Sequence, residues 1–494
     1  MSKDIEQETA AEIEADNKAQ SETSSAPMVL YKLDDRPPIG RAFVLAIQHV
    51  LTMFGATVAV PLMLGPTALD GSGMGMDRSQ VATLISSVML CSGIATFIQV
   101  SFGSRLPIIQ GVSFSFLAAF AAIIATVKQQ GGEPGEIMQY IAGSILVGAV
   151  IEMTIGFSGL LGMLRRVLSP VVIGPVIMLI GLALFEFGAP MAGSCWPISI
   201  LTIALIILFS YVLARKSKIF RLFPILFAIL ISLSVCALLT VTGLVDSTHA
   251  AFVATGHVGA ASWLRIQPTE IFFPWGLPKF QLGFILAVLA GYLASMIESF
   301  GDYHACSQMA GGGDPTPEQI SRGIGCEGIG CAITGMLGGF SSTSYSENVG
   351  LIGITKVGSR FVVQIAAVML ILLGIFGKFG AIAASIPTPI VGGLYCTLFG
   401  LISAVGIREL AKADLNVDRN LFISGFALFM GLSVPFYVKS EAGVAAMSQI
   451  GAISVALQDV VEAIGKTGMA VAAIIGLVLD NTLPATDAER GLEK

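Results

Sequence analysis

Two carboxylates spaced four residues apart are the first candidates for chemistry in this sequence. Glu298 and Asp302 lie in one apolar stretch, and a helix would place both side chains on the same face. In a medium of low dielectric constant such carboxylates repel each other unless one is protonated or a cation lies between them. The spacing therefore predicts a site coupled to H⁺ or Na⁺, and Asp302 is where a sodium ion could bind.

A polar stretch, residues 338–350, interrupts the apolar sequence. Glu347 and Asn348 stand where a short helix would begin, directly after Tyr345 and Ser346. The start of a helix offers free N–H groups to the acceptor atoms of a ligand, while a carboxylate accepts from ligand N–H groups. A planar lactam ring carries both kinds of group side by side. These residues alone predict a cation-coupled carrier of a small polar solute.

Aromatic side chains near the polar stretches could stack on such a ring. Phe114 and Phe116 follow Ser113 in an earlier stretch, and Tyr345 lies in the one just described. Aromatic rings offer broad faces to planar partners. We therefore include Phe114, Phe116 and Tyr345 among the candidate binding residues.

Three further ionisable residues lie within apolar sequence. Glu327 precedes the polar stretch at 338–350, His49 lies in the first apolar segment, and Glu152 lies midway along another. Ionisable groups at membrane depth are costly and are therefore candidates for function. For Glu152 and His49 the alternative is a packing role between helices.

The rest of the chain is apolar enough to require a membrane. Of its 494 residues, 54% are hydrophobic and 12% charged, and the mean hydropathy is +0.82, whereas soluble proteins carry about 25% charged residues. A single soluble core stops growing at roughly 250–300 residues, so it cannot hide this much apolar surface. The sequence predicts an all-α integral membrane protein in contact with lipid.

Enzymes and nucleic-acid-binding proteins are disfavoured by the same composition. The net charge of −6 indicates no anionic partner such as nucleic acid. The seven cysteines show no spacing typical of a metal site, and we find no nucleotide-binding loop and no Ser/His/Asp arrangement. We expect no enzymatic activity and no cofactor, with H⁺ or Na⁺ as the coupling ion.

The apolar stretches predict about fourteen membrane segments, two of them substandard. Thr316-Pro317-Glu318-Gln319 predicts the start of one helix, with an N-cap, a proline at the first position and a capping-box glutamine. Lys and Arg concentrate in alternate connections, which places both termini in the cytoplasm and the protein in the cell membrane. The predicted organisation is a disordered cytoplasmic tail (1–38), a first set of seven segments (39–244), an extracellular connection (245–279), a second set of seven (280–481) and a cytoplasmic tail (482–494).

The third segment of each half is defective. Pro, Gly and alternating Ser and Phe disturb residues 106–116, and residues 338–350 are too polar for lipid. Paired interruptions at corresponding positions indicate an inverted-repeat transporter with a site at the middle of the membrane. The second half would be inverted, because seven is an odd number of segments. The alternative is a pair of re-entrant loops without a ligand.

At these residues the sequence resembles the nucleobase–ascorbate transporter family, the nucleobase:cation symporters that include xanthine and uracil permeases. The family signature [Gln/Glu/Pro]-Asn-x-Gly-x4-Thr-[Arg/Lys/Gly] is complete at residues 347–356. Other matches are Gln48-His49 in the first segment, Ser113–Phe116 in the third, Glu298-Ser299-Phe300-Gly301-Asp302 in the eighth, and Glu327 in the ninth. The resemblance runs from about residue 38 to the end of the chain.

The resemblance implies a fold and a mechanism. The fold would have fourteen segments in two inverted seven-segment repeats, with short strands in segments 3 and 10 that meet at the site. A core domain (segments 1–4 and 8–11) would carry the substrate against a gate domain (segments 5–7 and 12–14), usually in a homodimer. Transport would proceed by alternating access.

The resemblance also assigns roles to residues of this chain. Glu298 and Glu347 would hydrogen-bond the base. Other substrate contacts would come from Ser113, Phe114, Tyr345, Ser346 and Asn348, through stacking or through backbone groups. Asp302, Glu327 and His49 would bear on coupling or on the geometry of the site.

Two departures from the family pattern affect the choice of substrate and ion. Uracil permeases of the family carry a histidine where this chain has Asp302, so a histidine-based proton relay cannot be carried over. Residues 353–360 and the C-terminal tail resemble the animal sodium-dependent branch that includes ascorbate carriers, yet that branch typically has Pro where this chain has Glu347. An ionised Glu347 would repel ascorbate and accept N–H groups from a neutral base. We therefore expect uracil or xanthine, with ascorbate, another organic anion or a channel function as alternatives.

Overall fold

The structure, a computed structural model, describes residues 29–66, 73–159, 169–182, 185–217, 219–220, 223–454, 458, 461–462 and 464–492. Most of the predicted N-terminal tail lies outside these residues. The first half holds α1 (Ile39–Leu64), α2 (Arg78–Ser101), β1 (Gln110–Val112), α3 (Leu117–Gln129), α4 (Pro134–Ser158), α5 (Pro170–Leu182), α6 (Phe185–Gly193), α7 (Trp196–Ile207) and α8 (Pro224–Val241).

Two short helices occupy the connection between the halves, α9 (Gly256–Ala260) and α10 (Pro268–Ile271). The second half holds α11 (Leu282–Met309), α12 (Pro317–Leu337), β2 (Ser342–Ser344), α13 (Ser346–Thr355), α14 (Arg360–Ile375), α15 (Gly377–Ala383), α16 (Thr388–Leu410), α17 (Asp418–Lys439), α18 (Glu441–Ile453) and α19 (Gly468–Thr482). A single 3₁₀ turn, Phe114–Phe116, joins β1 to α3.

Eight helices of the described chain are long and apolar enough to cross a membrane. They are α1, α2, α4, α7 with its continuation to Arg215, α8, α11, α16 and α17. Four shorter apolar helices, α3 with its preceding 3₁₀ turn, α5, α14 and α19, lie among them. The chain is thus a multi-pass helical membrane protein, and the count of fourteen segments stays a prediction.

The beginning of α12 follows from local sequence. The Thr316 side chain accepts a hydrogen bond from the backbone N–H of Gln319, and the Gln319 side chain accepts one from the N–H of Thr316. Pro317 occupies the first helical position. Each half of this capping box satisfies a backbone donor that a helix start would otherwise leave unpaired, so the predicted start of this helix is confirmed.

Glycines bring helices from the two halves into backbone contact. A Cβ on Gly156 of α4 would lie 2.3 Å from the backbone N of Gly325 in α12. A Cβ on Gly374 of α14 would lie 2.4 Å from the backbone N of Leu90 in α2. Small residues permit this spacing, which dispersion and lipid exclusion then stabilise. Each half is therefore packed closely against the other.

Residues 29–36 and the region around Asp480 are both fastened to the bundle. Residues 29–36, which fall within the predicted disordered tail, run beside the start of α14: the N–H of Gly358 donates to Tyr31 O (2.8 Å) and that of Arg360 to Leu33 O (3.0 Å). At the other end, Asp480 forms ion pairs with Arg419 (3.0 Å) and Arg490 (2.8 Å).

Candidate functional site

The two short strands join the interrupted stretches of the two halves. β1 and β2 pair antiparallel, with Gln110 opposite Ser344 and Val112 opposite Ser342. The backbone ladder extends one step at each end, from Ser113 N–H to Ser341 O and from Tyr345 N–H to Ile109 O, both 3.0 Å. This pairing satisfies backbone groups that lipid could not. A helical turn begins directly after each strand.

The ring of Tyr345 locks the strand pair to α1. Its hydroxyl donates to the carbonyl of Val112 (2.9 Å) and accepts from the hydroxyl of Thr57 (3.2 Å). The ring covers Gly111 so closely that a Cβ there would lie 2.4 Å from Cζ of the tyrosine. Tyr345 is 3% exposed, so its ring is packed against protein here, and its predicted contact with substrate stays a prediction.

Asp302 on α11 is held by hydroxyls at the end of β2. The hydroxyl of Ser344 donates to Oδ2 (2.8 Å), and that of Ser346, in the first turn of α13, donates to Oδ1 (2.7 Å). Asp302 is buried. A carboxylate with neighbouring hydroxyl oxygens is an oxygen-rich set of the kind that hard cations prefer.

Glu327 on α12 occupies the centre of a second hydroxyl cluster. It accepts from Ser295 (3.1 Å), from Ser299 (2.7 Å to Oε2) and from the phenol of Tyr303 (3.0 Å). The hydroxyl of Ser299 also lies 2.9 Å from that of Ser344. The two clusters are therefore continuous, and they connect α11, α12 and β2 through buried polar contacts.

Glu298 and Glu347 are the two carboxylates of the site that remain half-buried. Ser115, in the 3₁₀ turn of the first half, contacts Glu298 at 3.5 Å, and Glu347 lies in the first turn of α13. Asp302, Glu347 and Glu327 are the neighbouring carboxyl groups of Glu298. The accessible part of the site is thus rich in carboxyl oxygens.

The two phenylalanines of the first interruption are placed differently. Phe114 is half-buried and meets Phe399 of α16 edge-on, with ring centroids 6.2 Å apart. Phe116 is fully buried and meets Tyr292 edge-on at 4.8 Å. Of these two rings, only Phe114 keeps part of its surface open.

His49 of α1 is in contact with Asn348 of α13. The side-chain Nδ2 of Asn348 lies 3.2 Å from His49 Nδ1 and donates to the His49 carbonyl (3.0 Å). Both residues are buried, and Asn348 Oδ1 has no hydrogen-bond partner among the described residues. These bonds join α1 to α13, so the contact seen for His49 connects two helices near the site.

Sequence reasoning missed the hydroxyl residues that support the carboxylates. Ser295, Ser299 and Tyr303 recur every four residues along α11, which places them on one helical face. That spacing was available in the sequence. The contribution of Ser344 was not, because it depends on how β2 lies against α11.

Glu152 lies deep in the contact between α4 and α12. Its side chain is 0% exposed, and neither carboxylate oxygen has a hydrogen-bond partner among the described residues. The neighbouring thiol of Cys331 donates instead to the carbonyl of Ser342 (3.3 Å). Within the described chain there is also no group of three or more His, Cys, Asp or Glu residues that could hold a metal ion.

Comparisons with known proteins place the chain in a family. Residues 40–440 match the model of the permease family that contains xanthine and uracil permeases. Solute carrier family 23 member 2 of Homo sapiens is 37% identical over 94% of this chain and 76% of its own length. Nucleobase-ascorbate transporter 7 of Arabidopsis thaliana is 34% identical over 93% of this chain and 87% of its own.

A solved structure shares the fold at low sequence identity. The transmembrane domain of a cyanobacterium bicarbonate transporter, BicA, aligns with a TM-score of 0.50 and 16% identity, covering 88% of this chain and 98% of that one. At this identity the likeness concerns the fold alone. The relatives named above are solute carriers and transporters over nearly the whole chain, so this chain is a membrane transporter and belongs to the nucleobase–ascorbate transporter family.

Proposed function

We propose that the protein imports a nucleobase, uracil or xanthine, together with H⁺ or Na⁺. The observation that carries the proposal is the pair of half-buried carboxylates, Glu298 and Glu347, beside the start of α13. A neutral base can donate N–H groups to carboxylates and accept from helix N–H groups. An anion would be repelled by Glu298 or Glu347 whenever either is ionised.

Coupling to a cation is supported by the geometry around Asp302. Its carboxylate, with the hydroxyls of Ser344 and Ser346, forms a set of oxygen ligands next to Glu298. Either Na⁺ among these oxygens or a proton on one carboxylate would reduce the repulsion within the pair. Cation binding would then favour substrate binding, as a symporter requires.

A repeat that relates the two halves is supported by the way the helices pack. If segments of the halves correspond in order, α2 corresponds to α12 and α4 to α14. Exchanging each segment for its counterpart leaves the contacts unchanged: α4 packs on α12 and α2 on α14, while α1 packs on α14 and α11 on α4. We accordingly propose fourteen segments in two inverted repeats that work by alternating access. We also propose, from the sequence resemblance and the distribution of Lys and Arg, a cell-membrane homodimer with cytoplasmic termini.

Uptake by proteoliposomes tests the transported solute and the ion together. We expect labelled uracil or xanthine to accumulate under an inward Na⁺ or H⁺ gradient. Glu347→Gln should weaken uptake and nucleobase binding, because one acceptor oxygen becomes a donor. Glu318→Gln, an exposed partner of Arg322 outside the site, is the matched control and should transport normally.

Ascorbate is the second candidate, and the name of the plant relative, a nucleobase-ascorbate transporter, favours it. Sodium-dependent ascorbate uptake that neither uracil nor xanthine inhibits would replace the nucleobase proposal. Solute currents that neither saturate nor respond to an ion gradient would instead indicate a channel.

A further inference from the structure

A polar cavity lies away from the candidate site, where residues 29–36 cross the end of α2 and the beginning of α14. Its volume is about 180 Å³, many times the ~10–15 Å³ that a single water molecule requires. The cavity is lined by Asp34, Arg36, Ser101, Arg105, Arg360 and Gln364. Since α2 crosses the membrane and ends here, the cavity opens near the bilayer surface.

The lining of the cavity carries three guanidinium groups and one carboxylate. Asp34 pairs with Arg360 at 2.7 Å, which leaves Arg36 and Arg105 to set the charge of the remaining space. Arg36 lies over the ring of Phe361, 5.7 Å from its centroid, and this contact holds the guanidinium at the wall. The cavity therefore has positive potential and several guanidinium hydrogen-bond donors.

Two backbone features are found at the cavity wall. Arg105 has a φ of 58°, a left-handed conformation that costs about 1–2 kcal/mol for a residue other than glycine, and its side chain lines the cavity. The first turn of α14 borders the cavity as well; no side chain caps it, and its first N–H, that of Arg360, donates to the carbonyl of Leu33 (3.0 Å). The start of a helix adds positive potential for an anion even where its first N–H is already paired.

We propose that this cavity binds a phosphate-type oxyanion, either free in the cytoplasm or as the headgroup of an anionic lipid. Guanidinium groups bind phosphate oxygens through paired N–H donors, so Arg36 and Arg105 can donate several hydrogen bonds to one such group beside the positive end of α14. Binding would fasten residues 29–36 to α2 and α14. The bound anion would thus stabilise the packing of the chain's N-terminal side against the helices that support β1.

Thermal unfolding of the purified full-length protein tests the proposal. In one arm, inorganic phosphate is titrated in detergent against potassium chloride at matched ionic strength. In the other, nanodiscs of phosphatidylcholine are compared with nanodiscs that also contain phosphatidic acid. Wild type is measured beside Arg105→Gln and beside Arg322→Gln, a control with the same change of charge on an arginine that pairs with exposed Glu318 outside the cavity.

We expect a rise in the unfolding midpoint of at least about 2 °C in one arm, for wild type and Arg322→Gln but not for Arg105→Gln. A shift with inorganic phosphate identifies a free oxyanion, and a shift with phosphatidic acid alone identifies a lipid headgroup. Midpoints unchanged in both arms, or equal shifts in Arg105→Gln and wild type, would overturn the proposal.

A second pair of variants keeps the test decisive if Arg105→Gln fails to fold. Arg36→Gln should also abolish the shift, since it removes a guanidinium without touching the left-handed residue. Asp34→Asn should lower the half-saturating phosphate concentration several-fold, because it removes the only carboxylate of the lining and releases Arg360. If Asp34, Arg36 and Arg105 had a purely structural role, Asp34→Asn would bind phosphate more weakly than wild type or not at all.

Discussion

At the scale of single residues, serine hydroxyls decide how the buried carboxylates are held. Ser299 contacts both Glu327 and Ser344, and Ser344 donates to Asp302. A buried carboxylate that accepts several hydrogen bonds is fixed in position, while an unsatisfied one costs free energy without fixing anything. The contrast between Glu327 and Glu152 allows this to be measured.

Glu327→Gln should lower the stability of the protein by about 1–3 kcal/mol. The amide nitrogen would replace one acceptor that now receives hydrogen bonds from Ser299 or Tyr303. The measurement is the midpoint of thermal unfolding in detergent. Glu152→Gln is the matched control: neither of its oxygens accepts a hydrogen bond within the described chain, so the exchange loses none and its midpoint should change little. Equal losses in the two variants would contradict the role given to the hydroxyls.

The carboxylates of the site could be predicted from sequence, whereas their partners could not. Glu298, Asp302, Glu327 and Glu347 stand out because charges are rare in apolar stretches. A serine in such a stretch carries no comparable signal, since its hydroxyl can bond its own helix backbone. Only the position of β2 beside α11 decides that Ser344 meets Asp302.

At the scale of elements, the strand pair has little room for added side-chain volume. β1 and β2 are three residues each, and the phenol of Tyr345 fixes both of them to α1. The ring of Tyr345 lies directly on Gly111, and its hydroxyl is hydrogen-bonded to Val112 and Thr57. The ring therefore cannot shift to make room for a larger residue at position 111 without breaking these bonds.

Gly111→Ala should therefore destabilise the protein by about 1–3 kcal/mol through overpacking, and it should reduce uptake, since β1 leads into the turn that carries Ser115. Unfolding midpoints and uptake report the two effects. The control is Gly425→Ala in α17, where an added Cβ meets nothing within 4 Å and the exchange favours the helix by about 0.5–1 kcal/mol. If the two alanine variants unfold at the same temperature, the contact with Tyr345 does not constrain β1.

The interrupted elements also explain how far sequence could predict the segments. Pro107 and the Gly/Ser-rich run before Tyr345 mark the two breaks, and the strands lie in these stretches. The lengths of the helices were harder to predict, because segments beside a break need not span the bilayer alone. α3 has 13 residues and α13 has 10, so criteria of length and hydropathy identify fewer spans than an apolar-stretch count.

At the scale of the whole molecule, buried ion pairs fasten the C-terminal residues to the bundle. Asp480 is 2% exposed and pairs with Arg419 at the start of α17 and with Arg490 beyond α19. The buried carboxylate of Asp480 thus compensates the charges of two guanidinium groups. Removing it would take this ion-pair partner from both Arg419 and Arg490.

Asp480→Asn should cost about 3–5 kcal/mol, the range for removing one partner from a buried ion pair. It should also expose the C-terminal residues to limited proteolysis, which is the more direct measurement. Asp487→Asn is the control, because Asp487 is 66% exposed and lies 4.0 Å from Arg490, and exposed pairs contribute roughly 0–1 kcal/mol. Identical cleavage of both variants and wild type would show that the Asp480 pairs do not hold these residues.

The pairing of β1 with β2 also imposes an order on the biogenesis of the protein. Gln110 meets Ser344, 234 residues further along the chain, and at roughly 5–20 residues per second the ribosome needs about 12–47 s to supply the partner. During that time β1 has no strand to satisfy its backbone groups, and lipid cannot do so. The third segment must therefore wait within the insertion machinery or against its neighbours. A chain that stops before residue 341 leaves the binding site unbuilt even though every helix of the first half is present.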